Sequence, residues 1–122
     1  MYPGRAEALA PYVGPLAEAL GRLRDATVWL MQNAPANPEN AGAAATDYLN
    51  LLGMVALAYM WCRMVEAAQA KLASRSGAPE RWRAKLTTAR FFTERMLPET
   101  AVQLARIQSG AGSVMELPAE AF

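Results

Sequence analysis

The run from Asp47 to Leu72, DYLNLLGMVALAYMWCRMVEAAQAKL, constrains this chain more than any other stretch, because nothing else in it is apolar for so long. Met54, Ala58, Trp61, Val65, Ala68 and Leu72 recur at steps of three and four and trace one face of a helix, while Leu52, Val55, Tyr59 and Cys62 trace a second. A helix apolar on nearly all sides belongs inside a protein or inside a membrane. The part free of charged or strongly polar residues extends only from Leu51 to Cys62, short of the roughly 18 to 20 residues that cross a bilayer core, and Arg63 and Glu66 interrupt the run beyond it. The pattern therefore predicts a central core helix and no membrane span. Trp61 and Met64 are expected to be mostly buried, and Gly53, Ala56, Ala58 and Ala67 are small enough to let neighbouring backbones approach closely.

At 122 residues the chain has room for one domain, 1–122. Its apolar share of 53% exceeds the usual value of about 45 to 50%, so part of that surface is expected to face a partner. Twelve basic against 11 acidic side chains give a net charge of +1, too little field to draw nucleic acid, which is not an expected partner. Cys62 is the only cysteine; it excludes an intrachain disulfide and reads as a small buried hydrophobe. The opening MYPGRAEALAPYV has neither the basic region nor the long apolar region of a secretory signal, so the cytoplasm is the expected compartment.

Helical periods continue on both sides of the central run. Leu9, Val13, Leu16, Leu20, Leu23, Thr27 and Leu30 step by four and three, predicting a first helix over about 5–32 with a kink or second start near Pro15. Glu18, Arg22 and Asp25 form its solvated face. Asn37 before Pro38 and Glu39 suits an N-cap with proline at the first helical position, and AGAAAT after it reads as loop or frayed helix. The central helix, about 40–74, should end where Gly77 supplies a left-handed cap and Pro79 restarts the chain. Trp82, Leu86, Ala89, Thr93 and Met96, widened by Phe91 and Phe92, give a third helix over 79–97, and Leu97, Ala101, Leu104 and Ile107 extend it over 98–109. Pro98 lies inside that pattern and costs about 3 kcal/mol in a helix interior, so the helix is kinked there, or broken with Glu99 at a fresh N-terminus. Gly110 and Gly112 leave a tail, 110–122. The predicted fold is all-α: an antiparallel up-and-down bundle of three long helices, four if Pro98 breaks the third.

The chain has no histidine, which removes Ser-His and Cys-His nucleophile pairs and nearly every transition-metal site. Its carboxylates are scattered singly, leaving no visible acid and base pair. SGAGS at 109–113 follows a helix where a phosphate loop would precede one, and reads as a C-cap. Two clusters stand out. Lys71, Arg75, Arg81, Arg83, Lys85, Arg90 and Arg95 face only Glu80 and Glu94 over that stretch, which is either a solvated corner or an anion-facing patch formed by Lys71, Arg75, Arg81 and Lys85. Arg63 on the central helix, with Glu66 and Glu94 as partners, is a candidate buried ion pair, because a buried guanidinium must be paired.

In their order along the chain, DYLNLLGMVALAYMWCRM and KLTTARFFTERMLPETAVQLARIQSGAGSVMELPAEAF resemble the extra C-terminal domain of a branch of acyl-CoA dehydrogenases, the 3-methylmercaptopropionyl-CoA dehydrogenase type. In that group an aromatic-rich central helix precedes a K-L-x-x-A-R-F-F/Y stretch, an R-x-L-P-E step and an ending G-(x)-M-x-L-P-x-E-x-F, which match Lys85 to Phe92, Arg95 to Glu99 and Gly110 to Phe122. The resemblance covers roughly Leu16 to Phe122. It implies a non-catalytic domain of an FAD-dependent flavoenzyme of fatty acid metabolism, docked on the catalytic core or at a subunit interface. FAD and the catalytic glutamate belong to that core, so this chain itself is expected to hold no cofactor, to supply no catalytic residue and to oxidise no acyl-CoA alone. Its partner is then the dehydrogenase core or a second copy of itself. The apolar share separately predicts that the chain self-associates or exposes a contiguous apolar patch, which includes part of the tail with Val114, Met115, Leu117 and Phe122. The competing reading is an independent bundle that binds a partner protein or an apolar ligand between its helices.

Overall fold

The computed structural model describes residues 2–122; Met1, the first residue of the lead-in, lies outside them. Every element among the described residues is helical. Helix α1 spans Arg5–Asn33, α2 Glu39–Ala73, and α3 Pro79–Phe91, continued by a π-helical turn over Phe92–Met96. Helix α4 comes next over Glu99–Gln108, then a short α5 over Gly112–Met115 and a closing 3-10 turn at Ala119–Ala121. This is the predicted all-α bundle with its third helix broken at Pro98. The segment AGAAAT is regular helix from the start of α2, and Ala44 within it is buried.

Helix α2 packs against α1, α3 and α4. Its seam is Ala44, Leu51, Val55, Ala58, Val65 and Ala68, all buried. On α1 the seam runs through Leu9, Tyr12, Leu16, Ala19, Leu23, Ala26 and Leu30, one position aside from the expected Val13, Leu20 and Thr27. Val13 and Leu20 are exposed, whereas Ala19 and Ala26 are wholly buried in one cluster with Ala44. Alanines carry the seam because they let two backbones approach closely, a preference that side-chain size alone does not reveal. Thr27, turned aside, shares a 2.7 Å hydrogen bond with the Tyr48 hydroxyl.

Proline sets the break between α3 and α4. Having no N–H, Pro98 cannot continue the i to i−4 ladder, and the preceding turn widens so that the Leu97 amide donates to the Phe92 carbonyl at 2.9 Å. Pro98 then opens α4, with the Ala101 amide donating back to its carbonyl at 3.1 Å. The widened turn buries Phe92 and Leu97, while α4 turns Thr100, Gln103 and Ile107 inward. Arg22 of α1 donates from Nη1 to Thr100 Oγ1 at 2.9 Å and ties α4 to α1.

The two corners are closed by side chains. At the first, the Glu39 amide donates to Asn37 Oδ1 at 3.2 Å, so Asn37 caps α2 ahead of a helical Pro38 as expected. Asn40 Oδ1 accepts from the Ala111 amide at 2.9 Å and anchors the start of the tail, where Gly110 adopts φ 76 against the Trp29 ring. At the second corner the left-handed cap residue is Arg75, φ 54, and not Gly77 as expected. The Ser76 amide donates to the Lys71 carbonyl and the Arg75 amide to that of Leu72, the paired bonds of a Schellman ending. Gly77, φ 74, makes a second left-handed step beside the Trp82 indole, which a Cβ at that position would meet at 3.6 Å.

Candidate functional site

Two surfaces emerge from this arrangement. The first is the side of α2 that no other helix covers. Three neighbours packed along one side cannot enclose a long helix, and 28% of its most apolar window is buried. The expectation of a helix buried all round is corrected accordingly: the face with Leu52 and Tyr59 is open, and Trp61 and Met64 are half-buried. Leu49, Leu52, Gly53, Ala56, Tyr59 and Met60 recur on this face, with Leu49 67% and Met60 51% exposed. At 1.5 Å per residue they form an apolar strip about 16 Å long. The tail adds Val114, Met115, Leu117 and Phe122, the last 94% exposed.

By length and composition α2 could also cross a membrane. A crossing would carry Arg63 and the Arg5–Glu66 pair into lipid, at a cost of several kcal/mol, whereas a protein surface can accept the strip with both charges left at its margin.

Arg63 lies at the end of the strip and is exposed, so the expected buried pairing of Arg63 with Glu66 and Glu94 does not form. The register of α2 points Arg63 outward, where its Nη1 donates to the Tyr59 hydroxyl at 3.2 Å and its guanidinium lies 6.0 Å from the Tyr59 ring centre. Glu66 pairs instead with Arg5, which donates from Nε at 2.6 Å, and Glu94 pairs with Arg90 on its own helix at 3.6 Å. Both are surface pairs worth about 1 kcal/mol or less. Beside the first, Tyr2, Pro3, Arg5, Glu66, Ala70 and Ala73 line an open groove of about 630 Å³. Desolvation, then Glu66, raises the Tyr2 phenol pKa, and the phenol donates to Gln69 Oε1 at 2.7 Å.

The second surface is the α2–α3 corner. Of the expected anion-facing residues, Lys71 and Arg75 line a cavity of about 330 Å³ there, joined by Arg83, which lies outside the expected set of four. Arg81 lies beside them but stacks on Trp82 at 5.3 Å from the ring centre. Lys85 is a turn further along and rests over Trp61 at 6.0 Å, away from the corner. The signal that would have found Arg83 is its spacing from Trp82 and Pro79, which fixes the side of α3 facing the end of α2.

No group of three or more Cys, Asp or Glu side chains converges among the described residues. Burial pushes the Cys62 thiol up, away from a reactive thiolate. The glycine-rich stretch is a helix ending, as its place after a helix suggests: Gly110 follows the C-cap of α4, the Ala111 amide is taken by Asn40, and the helix beginning at Gly112 is a single turn. A family model described as acetyl-CoA dehydrogenase C-terminal like matches residues 3–118. No curated protein matches the chain.

Proposed function

The chain belongs to the acetyl-CoA dehydrogenase C-terminal-like family, and from that membership we propose that it is the non-catalytic accessory domain of an FAD-dependent acyl-CoA dehydrogenase-like flavoenzyme, docked on the catalytic core through the open face of α2. The observation that carries this reading is the family match over 116 of 122 residues, from 3 to 118, on a bundle whose longest helix leaves an apolar strip uncovered. The strip offers shape and apolar area but no reacting group, which is what an accessory domain contributes: burial of each large side chain is worth about 1.5 to 3 kcal/mol before association costs. FAD, the reacting base and the acyl-CoA site are assigned to the core.

The finer assignment, to the 3-methylmercaptopropionyl-CoA dehydrogenase type, is supported by the run of motifs over Lys85–Phe92, Arg95–Glu99 and Gly110–Phe122. The first spans the end of α3 with the buried Ala89 and Phe92, the second spans the break at Pro98, and the third is the tail.

The test is the natural gene product. Its intact mass and sequence should show this domain joined to, or co-purifying with, a flavin-binding dehydrogenase core. Hydrogen exchange at Leu49–Met60 should then be slower than in the isolated chain. A free 122-residue product with no flavoprotein partner would favour the independent-module reading instead.

A further inference from the structure

We infer that the α2–α3 corner is a binding site for a small organic phosphate or diphosphate, with its anionic part held by Lys71, Arg75 and Arg83 and its apolar part against Leu72, Pro79 and Trp82. The proposal is independent of the docking reading, since it lies at the end of α2 and uses none of the strip residues.

Three observations support it. The cavity, about 330 Å³, lies at the lower end of the range for small-molecule pockets and places three cations around one concave space. None of the three is in an ion pair; among the described residues the ion pairs use Arg5, Arg90 and Arg106. Glu80, the only carboxylate between Lys71 and Leu86, does not line the cavity. On a chain whose net charge is only +1, this leaves a local positive excess that the fold itself does not neutralise. Second, the floor is preorganised. Trp82 Nε1 donates to the Ser76 carbonyl at 2.7 Å, its ring lies against Gly77, and Arg81 stacks on it from outside, which fixes a flat apolar wall beside the cations. Third, Arg75 holds a left-handed backbone conformation that favours glycine, so the backbone supplies no reason for an arginine at that position. Bidentate guanidinium contacts to phosphate supply one.

The positive end of α3, which starts at Pro79 on the cavity wall, adds to the same field. A carboxylate ligand would satisfy one guanidinium; three cations in one concavity fit the higher charge of a phosphate or diphosphate.

The test is a titration of the ¹⁵N-labelled 122-residue chain with inorganic pyrophosphate, ADP and sulfate, following the Trp82 indole N–H and the Arg75 and Gly77 amides. Phosphatidylcholine vesicles with and without phosphatidic acid form a parallel arm, which separates a lipid headgroup from a free phosphate as the source. Saturable shifts confined to the corner are expected, with ADP at least as tight as pyrophosphate and sulfate much weaker. The double variant Arg75→Gln, Arg83→Gln should bind about tenfold more weakly or worse. Arg106→Gln, which removes a cation already engaged with Asp47 and Glu99, should bind as the parent does. Circular dichroism and the Trp82 indole position report whether each variant keeps the fold. Sulfate binding as tightly as ADP, equal affinity in the double variant, or no saturable shift with any probe would overturn the proposal.

Discussion

Gln103 is 5% exposed on α4, and no protein group donates a hydrogen bond to its buried Oε1. Such an acceptor costs about 1 to 3 kcal/mol, whereas an apolar side chain of similar volume costs nothing of the kind. Gln103→Met should therefore raise stability by about 1 kcal/mol, read as a higher urea midpoint at unchanged slope. A lower midpoint would show that Gln103 is satisfied by an ordered water and holds α4 in place. Cys62 offers a pH-dependent test. Its folded pKa is raised by burial, so as pH rises the unfolded chain ionises first and binds fewer protons. The contribution is fully present below the unfolded value of about 8.5 and is lost as pH climbs from there toward the folded pKa. As pH rises above about 8.5 the parent should lose stability with a slope that Cys62→Ala flattens, and iodoacetamide should alkylate the folded chain more slowly than the urea-unfolded one. Equal alkylation rates would contradict the burial argument.

At the scale of the helix, Leu51 and Leu52 are neighbours with opposite fates. Leu51 is wholly buried in the α2 seam; Leu52 is 46% exposed on the open strip. Leu51→Ala should cost about 2 to 5 kcal/mol through lost burial and a residual cavity. Leu52→Ala should change stability by about 0.5 kcal/mol or less. Similar losses from both would mean that α2 is enclosed after all. The end of α2 makes a second element-level case. Arg75→Gly relieves a left-handed conformation on a side-chain-bearing residue and should stabilise the bundle by a few tenths to about 1 kcal/mol, while removing a cation from the proposed phosphate site. Thermal denaturation and the phosphate titration would then move in opposite directions for one substitution.

For the whole molecule, the open strip and the exposed tail together mean that an isolated chain presents large apolar groups to water. The 122-residue chain should self-associate through the strip, with micromolar affinity or tighter. Sedimentation velocity should show concentration-dependent association that the double variant Leu52→Glu, Met60→Glu abolishes while leaving the unfolding midpoint nearly unchanged. Deleting residues 113–122 should weaken it. A strictly monomeric parent chain, indifferent to both changes, would shift the balance to a self-sufficient module.

What the sequence determined by itself is what local chemistry determines. Period and punctuation gave the all-helical class, the Asn37 cap, the restart at Pro79 and an interruption at Pro98, because each depends on residues within a turn or two of one another; whether Pro98 kinks or breaks the helix, and that AGAAAT is regular helix, they left open. The tertiary structure decided which apolar face is inside. Along α2 both faces are rich enough in large side chains to be core, and only the number of neighbouring helices, too few to surround it, leaves Leu49, Leu52 and Met60 in the open. The same limit misplaced the α1 seam by a residue, since close approach selects Ala19 and Ala26 over the larger Val13 and Leu20. It also sent Arg63 outward and Glu66 to Arg5, a partner 61 positions away in the chain. Periodicity sets the phase of a face along its own helix, but burial depends on the distance and angle of every neighbour, and those are fixed only when all the helices pack at once.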